Sequence, residues 1–86
     1  MYVIIVYDTA KDNCVKLHKV LKKHLFWNQN SVFEGSVTDS QLKRIKILLE
    51  QQRAPESHIT LYSIENEKLL SKEELGVPGG NTLNII

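Results

Sequence analysis

An α+β domain is what this 86-residue chain predicts, and three observations lead there. Apolar, β-branched runs near residues 2–7, 31–37 and 57–64 read as strands. Two stretches, near residues 14–24 and 41–52, repeat apolar residues at three- and four-residue spacings and read as helices. Turn-forming residues separate these runs. A chain this short has room for one core, so residues 1–86 make a single domain, with a core over 1–64 and a tail over 65–86.

The first run, Tyr2-Val3-Ile4-Ile5-Val6-Tyr7, is apolar at odd and even positions alike and stops on Asp8. Such a strand wants cover on both faces. Thr9 and Asp12 are candidate caps for the first helix, whose inner face carries Cys14, Leu17, Val20, Leu21 and Leu25 while Lys16, Lys19, Lys22 and Lys23 face away. Two strands follow, residues 26–29 and 31–37, with Asn28, Gln29 and Asn30 near the bend, because asparagine tolerates the left-handed backbone of tight reversals. Gly35 inside a strand implies a bulge or a close backbone approach. Thr38 to Gln41 forms a capping-box pattern opening a helix with Leu42, Ile45, Leu48 and Leu49 inward, ended by Pro55. The last core strand spans 57–64. In the tail, 65–74 reads as loop with a turn of helix, 76–81 as turn, and 82–86 as an additional strand that docks late.

Strand, helix, strand, strand, helix, strand is the ferredoxin-like βαββαβ arrangement, with both helices on one face of a four-stranded antiparallel sheet. The opposite face receives no helix although the first strand is apolar there too. That face predicts a sheet-mediated homodimer.

Composition bounds the function. An apolar fraction of 42% and a charged fraction of 24% belong to ordinary globular proteins. The single cysteine, Cys14, allows no internal disulfide and suits a reducing compartment. No apolar stretch reaches the roughly 18–20 residues of a membrane span, and the start lacks a basic leader region, so a cytoplasmic location with no membrane contact is expected. Residues 1–53 carry nine Lys and Arg against five Asp and Glu, while 54–86 carry two against five. Lys16, Lys19, Lys23, Lys43, Arg44 and Lys46 are thus candidates for nucleic-acid backbone contacts, which position a strand without reading it. Solvated helix faces carry lysines as a matter of course, so this pattern is compatible with a polyanion without requiring one.

Asp8 is the candidate catalytic and metal-binding residue. It shares strand parity with Ile4 and Val6, and a two-fold axis through that face brings two copies of it together. Facing carboxylates repel unless a cation or proton intervenes, and a hard ion such as Mg2+ or Mn2+ suits the site. Such an ion polarises phosphate and acidifies water, which makes the expected activity phosphodiester hydrolysis. Spacing leaves equally open that Asp8 caps the turn or helix after it. Glu34 could extend the metal shell or hold a basic residue, though most strand glutamates face solvent. Phe33 and Trp27 read as core or interface aromatics. Cys14 and His18 stand four apart, too few ligands for a zinc site. Gly79-Gly80 lacks the lysine and helix of a phosphate loop.

Tyr7-Asp8, Ser31-Val32-Phe33-Glu34-Gly35, the helix opening at Thr38-Asp39-Ser40-Gln41-Leu42 and the closing Gly79-Gly80-Asn81-Thr82 segment make the chain resemble the Cas-two family of CRISPR spacer acquisition. The resemblance implies a ferredoxin-like homodimer whose first-strand aspartate, here Asp8, binds the metal. It implies metal-dependent cleavage of single-stranded RNA or duplex DNA, and bridging of integrase dimers of the Cas-one family. It also implies a last strand that crosses to the partner, here through Leu83, Ile85 and Ile86. The loop Thr9-Ala10-Lys11-Asp12-Asn13 departs from the arginines many relatives carry there. Two alternatives stand beside the nuclease: a non-catalytic DNA-binding bridge in the integration complex, and a related toxin-type RNase.

Overall fold

The computed structural model describes residues 1–76. Its elements are β1 (Tyr2–Asp8), α1 (Lys11–Leu21), β2 (Phe26–Gln29), β3 (Val32–Ser36), α2 (Asp39–Gln52) and β4 (His58–Ile64), followed by a 3-10 turn over Glu67–Leu69. The sheet order is β2-β3-β1-β4, every pair antiparallel. This is the ferredoxin-like α+β arrangement that the element order predicts. The additional strand expected over 82–86 lies outside the described residues.

Alternation along β1 sets the layering. Val3, Ile5 and Tyr7 are buried, while Tyr2, Ile4 and Val6 are half-buried on the other face. The buried set packs with Phe33 of β3, Leu17 and Leu21 of α1, and Leu42, Ile45 and Leu49 of α2. Leu48, expected inward, is only half-buried. Gly35 is a close approach: a Cβ there would meet Leu25 Cδ2 at 3.1 Å. The bulge itself lies in β2, between Trp27 and Gln29. Asn30 has φ 43°, the left-handed residue of the β2–β3 reversal.

Helix α1 starts three residues before the expected Cys14 and ends before His24. Its N-cap is Ala10, which makes no side-chain cap bond. The carbonyl of Ala10 accepts from the amides of Asn13 and Cys14, and of the two candidate caps it is Asp12 whose Oδ1 accepts from a first-turn amide, that of Asn13, at 3.0 Å. At its far end Lys23 donates to Val20 and His24 to Leu21, the tighter i−3 pattern that closes a last turn. Helix α2 has the full capping box. The Gln41 amide donates to Thr38 Oγ1 at 3.1 Å and the Thr38 amide donates to Gln41 Oε1 at 2.8 Å. It ends at Gln52, ahead of Pro55, where Arg53 is already extended. Strand β3 is shorter than the expected 31–37. Its flanks still hold β1, since Tyr7 donates to Ser31 C=O and Val37 to Met1 C=O.

The helix-free face is not wholly bare. Residues 70–75 run over its β2–β3–β1 side, bordering an open cleft of about 370 Å³ with Tyr2, Ile4 and Glu34.

Candidate functional site

Asp8 closes β1 and is exposed. Its parity puts it on the helix-free face with Ile4 and Val6. It does not cap α1, because the cap position is Ala10 and carries no side-chain bond. The side-chain hydrogen bonds and ion pairs among the described residues lie elsewhere. The register sets His58, the first residue of β4, directly opposite Asp8. Directly opposed side chains stand roughly 5 Å apart at Cβ, so an exposed imidazole neighbours the exposed carboxylate. Sequence reasoning passed over His58, which shows no ligand spacing along the chain. Only pairing β1 with β4 and aligning Tyr2 with Ile64 would have found it.

The turn bearing Asp8 is anchored from beneath by Asn13, a buried polar residue that is 6% exposed. Its Nδ2 donates to Gln52 C=O at 2.8 Å. Its Oδ1 accepts from the Ala54 amide at 2.9 Å and from Thr9 Oγ1 at 3.0 Å. One side chain thus ties the β1–α1 turn to the α2–β4 connection, fixing the strand ends that carry Asp8 and His58.

Glu34 differs from the expectation for a strand glutamate. It is 6% exposed and makes no approach to Asp8, since it pairs with Ile4, further back along β1. Tyr2 Oη donates to its Oε1 at 2.6 Å, Lys72 Nζ meets the same oxygen at 2.6 Å, and Asn28 Nδ2 donates to Oε2. Burial alone would raise the Glu34 pKa, but hydrogen bonds from Lys72, Tyr2 and Asn28 together with the ammonium charge hold it below the ordinary value. Burial and then the Glu34 hydrogen bond push the Tyr2 phenol up to about 12. Glu34 therefore holds a basic residue, the structural role, and that residue comes from the tail.

The predicted backbone-contact residues Lys16, Lys19 and Lys23, with Lys43, Arg44 and Lys46, are all exposed. They lie on or just after the two helices, which pack on the face of the sheet opposite the one Asp8 shares. The structure therefore does not bring them to Asp8. Among the described residues, ion pairs use Met1, Arg53 and Lys72 as cations. Those residues contain no cluster of three His, Cys, Asp or Glu side chains that could hold a metal within one chain. Cys14 instead donates weakly to Thr9 C=O, and the His18 ring sits edge-on to Phe33 and Trp27.

A four-stranded antiparallel sheet backed by two helices, with an aspartate at the end of its first strand that has no side-chain partner among the described residues, defines a small ferredoxin-like protein with a candidate site at the sheet rim. Comparison with known proteins narrows this class. A family model described as CRISPR associated protein Cas2 matches residues 1–71. The chain is 41% identical over 87 residues to the CRISPR-associated endoribonuclease Cas2 of Methanosarcina acetivorans, with 100% of each chain covered. It is 40% identical over 86 residues to CRISPR-associated endoribonuclease Cas2 3 of Thermodesulfovibrio yellowstonii, covering 99% of this chain and 98% of that one. A Cas2 crystal structure superposes with a TM-score of 0.82 at 34% identity, covering 100% and 98% of the two chains. Streptococcus pyogenes Cas2 gives 0.73 at 28%, covering 88% of this chain and 100% of that one. The chain belongs to the Cas2 family of CRISPR-associated proteins.

Proposed function

We propose that this protein is a divalent-metal-dependent endonuclease whose site is completed by a second copy of the chain. The observation that carries the reading is the exposed, uncapped carboxylate of Asp8 on the helix-free face. Relatives of near-identical length named endoribonuclease support the same class of reaction.

The donor set fits a hard ion. Asp8 offers oxygen ligands without an internal partner among the described residues, and one chain supplies too few groups there to bind a metal alone. Two Asp8 side chains meeting across helix-free faces would hold Mg2+ or Mn2+, each carboxylate relieving the repulsion of the other through the cation. When bound, such an ion supplies charge stabilisation at a phosphate oxygen and acidifies a coordinated water. Hydrolysis forms a bond from water oxygen to phosphorus and breaks the bond to the leaving sugar oxygen, which takes up a proton. His58 stands beside the carboxylate that must be oriented, and Asn13 keeps both strand ends in place.

The exposed half of the helix-free face also supports the homodimer. Val6 is only half-buried and Tyr62 is 58% exposed. A cytoplasmic site of action and bridging of Cas-one integrase dimers complete the reading. In the test, Asp8→Asn should abolish Mg2+-dependent cleavage of RNA or DNA while leaving subunit association intact. Cleavage at the wild-type rate by Asp8→Asn would overturn it.

One observation favours a second reading, a non-catalytic bridge. The exposed basic residues lie on the layer away from Asp8 and could grip duplex backbone without it. In that case Asp8→Asn integrates spacers normally, whereas reversing the charge of Lys16, Lys19 and Lys23 weakens DNA binding and flattens its salt dependence.

A further inference from the structure

Trp27 is 43% exposed although it is the largest side chain of β2. It is held in one orientation. Its Nε1–H donates to Asn30 C=O at 2.9 Å, and the His18 ring stands edge-on at 5.2 Å between centroids. Its one polar atom is thus satisfied within the reversal, so the indole is not left open to hydrate that group. Beyond His18, and next to Trp27 rather than under it, runs a groove of about 370 Å³ whose lining includes Tyr7, Val15, His18, Lys19, Lys22 and Asn30. Among the described residues no Asp or Glu lines it. Tyr7 immediately precedes Asp8, and its amide bonds Ser31, so the groove, on the helix-bearing face, opens at the same end of the sheet as the candidate catalytic carboxylate on the other face.

We propose that Trp27, with His18, Lys19 and Lys22, forms a subsite for single-stranded nucleic acid, the indole stacking on an unpaired base while the lysines take the adjoining phosphates. A rigid aromatic face, joined through His18 to a groove carrying lysines, matches what unpaired nucleotides present, a π-face and a charged backbone. A duplex offers no free base face, and an apolar protein surface would leave Lys19 and Lys22 without counter-charge. The proposal deepens the nuclease reading and rests on it, naming how a strand is held on its way to the rim.

Trp27 is the only tryptophan of the chain, so its fluorescence reports the subsite directly. The probe is a short oligouridylate added to the full-length protein in EDTA, with binding followed in parallel by anisotropy of the labelled strand. Expected is saturable quenching whose midpoint coincides with the anisotropy curve. Trp27→Phe should keep most of the affinity, and Trp27→Ala should weaken it about tenfold, as one lost base stack implies. Lys22→Ala should lower the salt slope by about 0.7. The deoxy strand should quench as well and a blunt duplex should not. Anisotropy showing full binding with unchanged Trp27 emission overturns the subsite, as does equal quenching by the duplex. Emission that changes with protein concentration alone also overturns it and marks Trp27 as a protein interface. Cleavage measured separately in Mg2+ keeps the two readings apart: activity without quenching refutes the subsite alone, and quenching without activity refutes the nuclease alone.

Discussion

Glu34 carries the most consequential single-residue chemistry outside the candidate site. Its pKa is held below the ordinary 4.5, so its contribution to stability is present above that pH and is lost as pH falls through its lowered folded value. Lys72 is shifted up by the Glu34 hydrogen bond and Tyr2 up to about 12, so both contributions are present below the ordinary values and fade as pH rises through the folded ones. Stability should be level from about pH 5 to about pH 10 and fall on either side. Glu34→Gln should lower it by about 1–3 kcal/mol at neutral pH and flatten the acid limb. Denaturant unfolding at stepped pH reads both, and an acid limb unchanged in Glu34→Gln would contradict the network. Lys72→Met should cost less, because its side chain is 42% exposed and water screens part of the pair. Parity hinted at this cluster, since Tyr2 and Glu34 both sit on the helix-free side. Nothing along the chain pointed to Lys72, because a loop residue crossing a sheet has no periodicity to betray it.

At the scale of elements, the order and type of every core segment were legible because hydrophobic spacing and caps agree with the tertiary layering. The Thr38 box, the Asn30 reversal and the close approach at Gly35 were readable as local chemistry. The start of α1 was not, since its cap position is Ala10, which has no capping side chain, and Asp12 bonds the Asn13 amide from inside the first turn. Asn13 was hidden for a related reason: its partners Gln52 and Ala54 are distant in sequence and brought near only by the packing of α1 on α2. Asn13→Ala leaves the Gln52 carbonyl and the Ala54 amide without their partner, and should cost about 2–3 kcal/mol by denaturant unfolding. A loss no greater than that of a surface alanine substitution would count against this anchor. Gly35→Ala forces Leu25 to shift and should cost about 1 kcal/mol, read by the same measurement.

For the whole molecule, the helix-free face is divided between two roles. Its β2–β3 side is crossed by the chain's own segment 70–75, latched through Lys72 to Glu34, while Phe26, paired with Glu34, stays 78% exposed. Its β1–β4 side keeps Val6, Tyr62, Asp8 and His58 open to a partner. A second copy seated there would cover apolar surface and bring the Asp8 carboxylates together. On the proposed dimer, chelating the metal should leave association largely intact, with apolar burial holding the copies, while cleavage stops. Sedimentation with and without EDTA checks this, and dissociation on chelation would show instead that the ion is the main link.

The claim that two subunits share one site is tested most directly by subunit mixing. Wild-type protein is unfolded and refolded with increasing shares of Asp8→Asn, so that pairs form at random, and Mg2+-dependent cleavage is measured at constant total protein. A site needing both carboxylates predicts activity falling as the square of the wild-type fraction. A straight-line decline would mean each chain acts alone and would contradict the shared site.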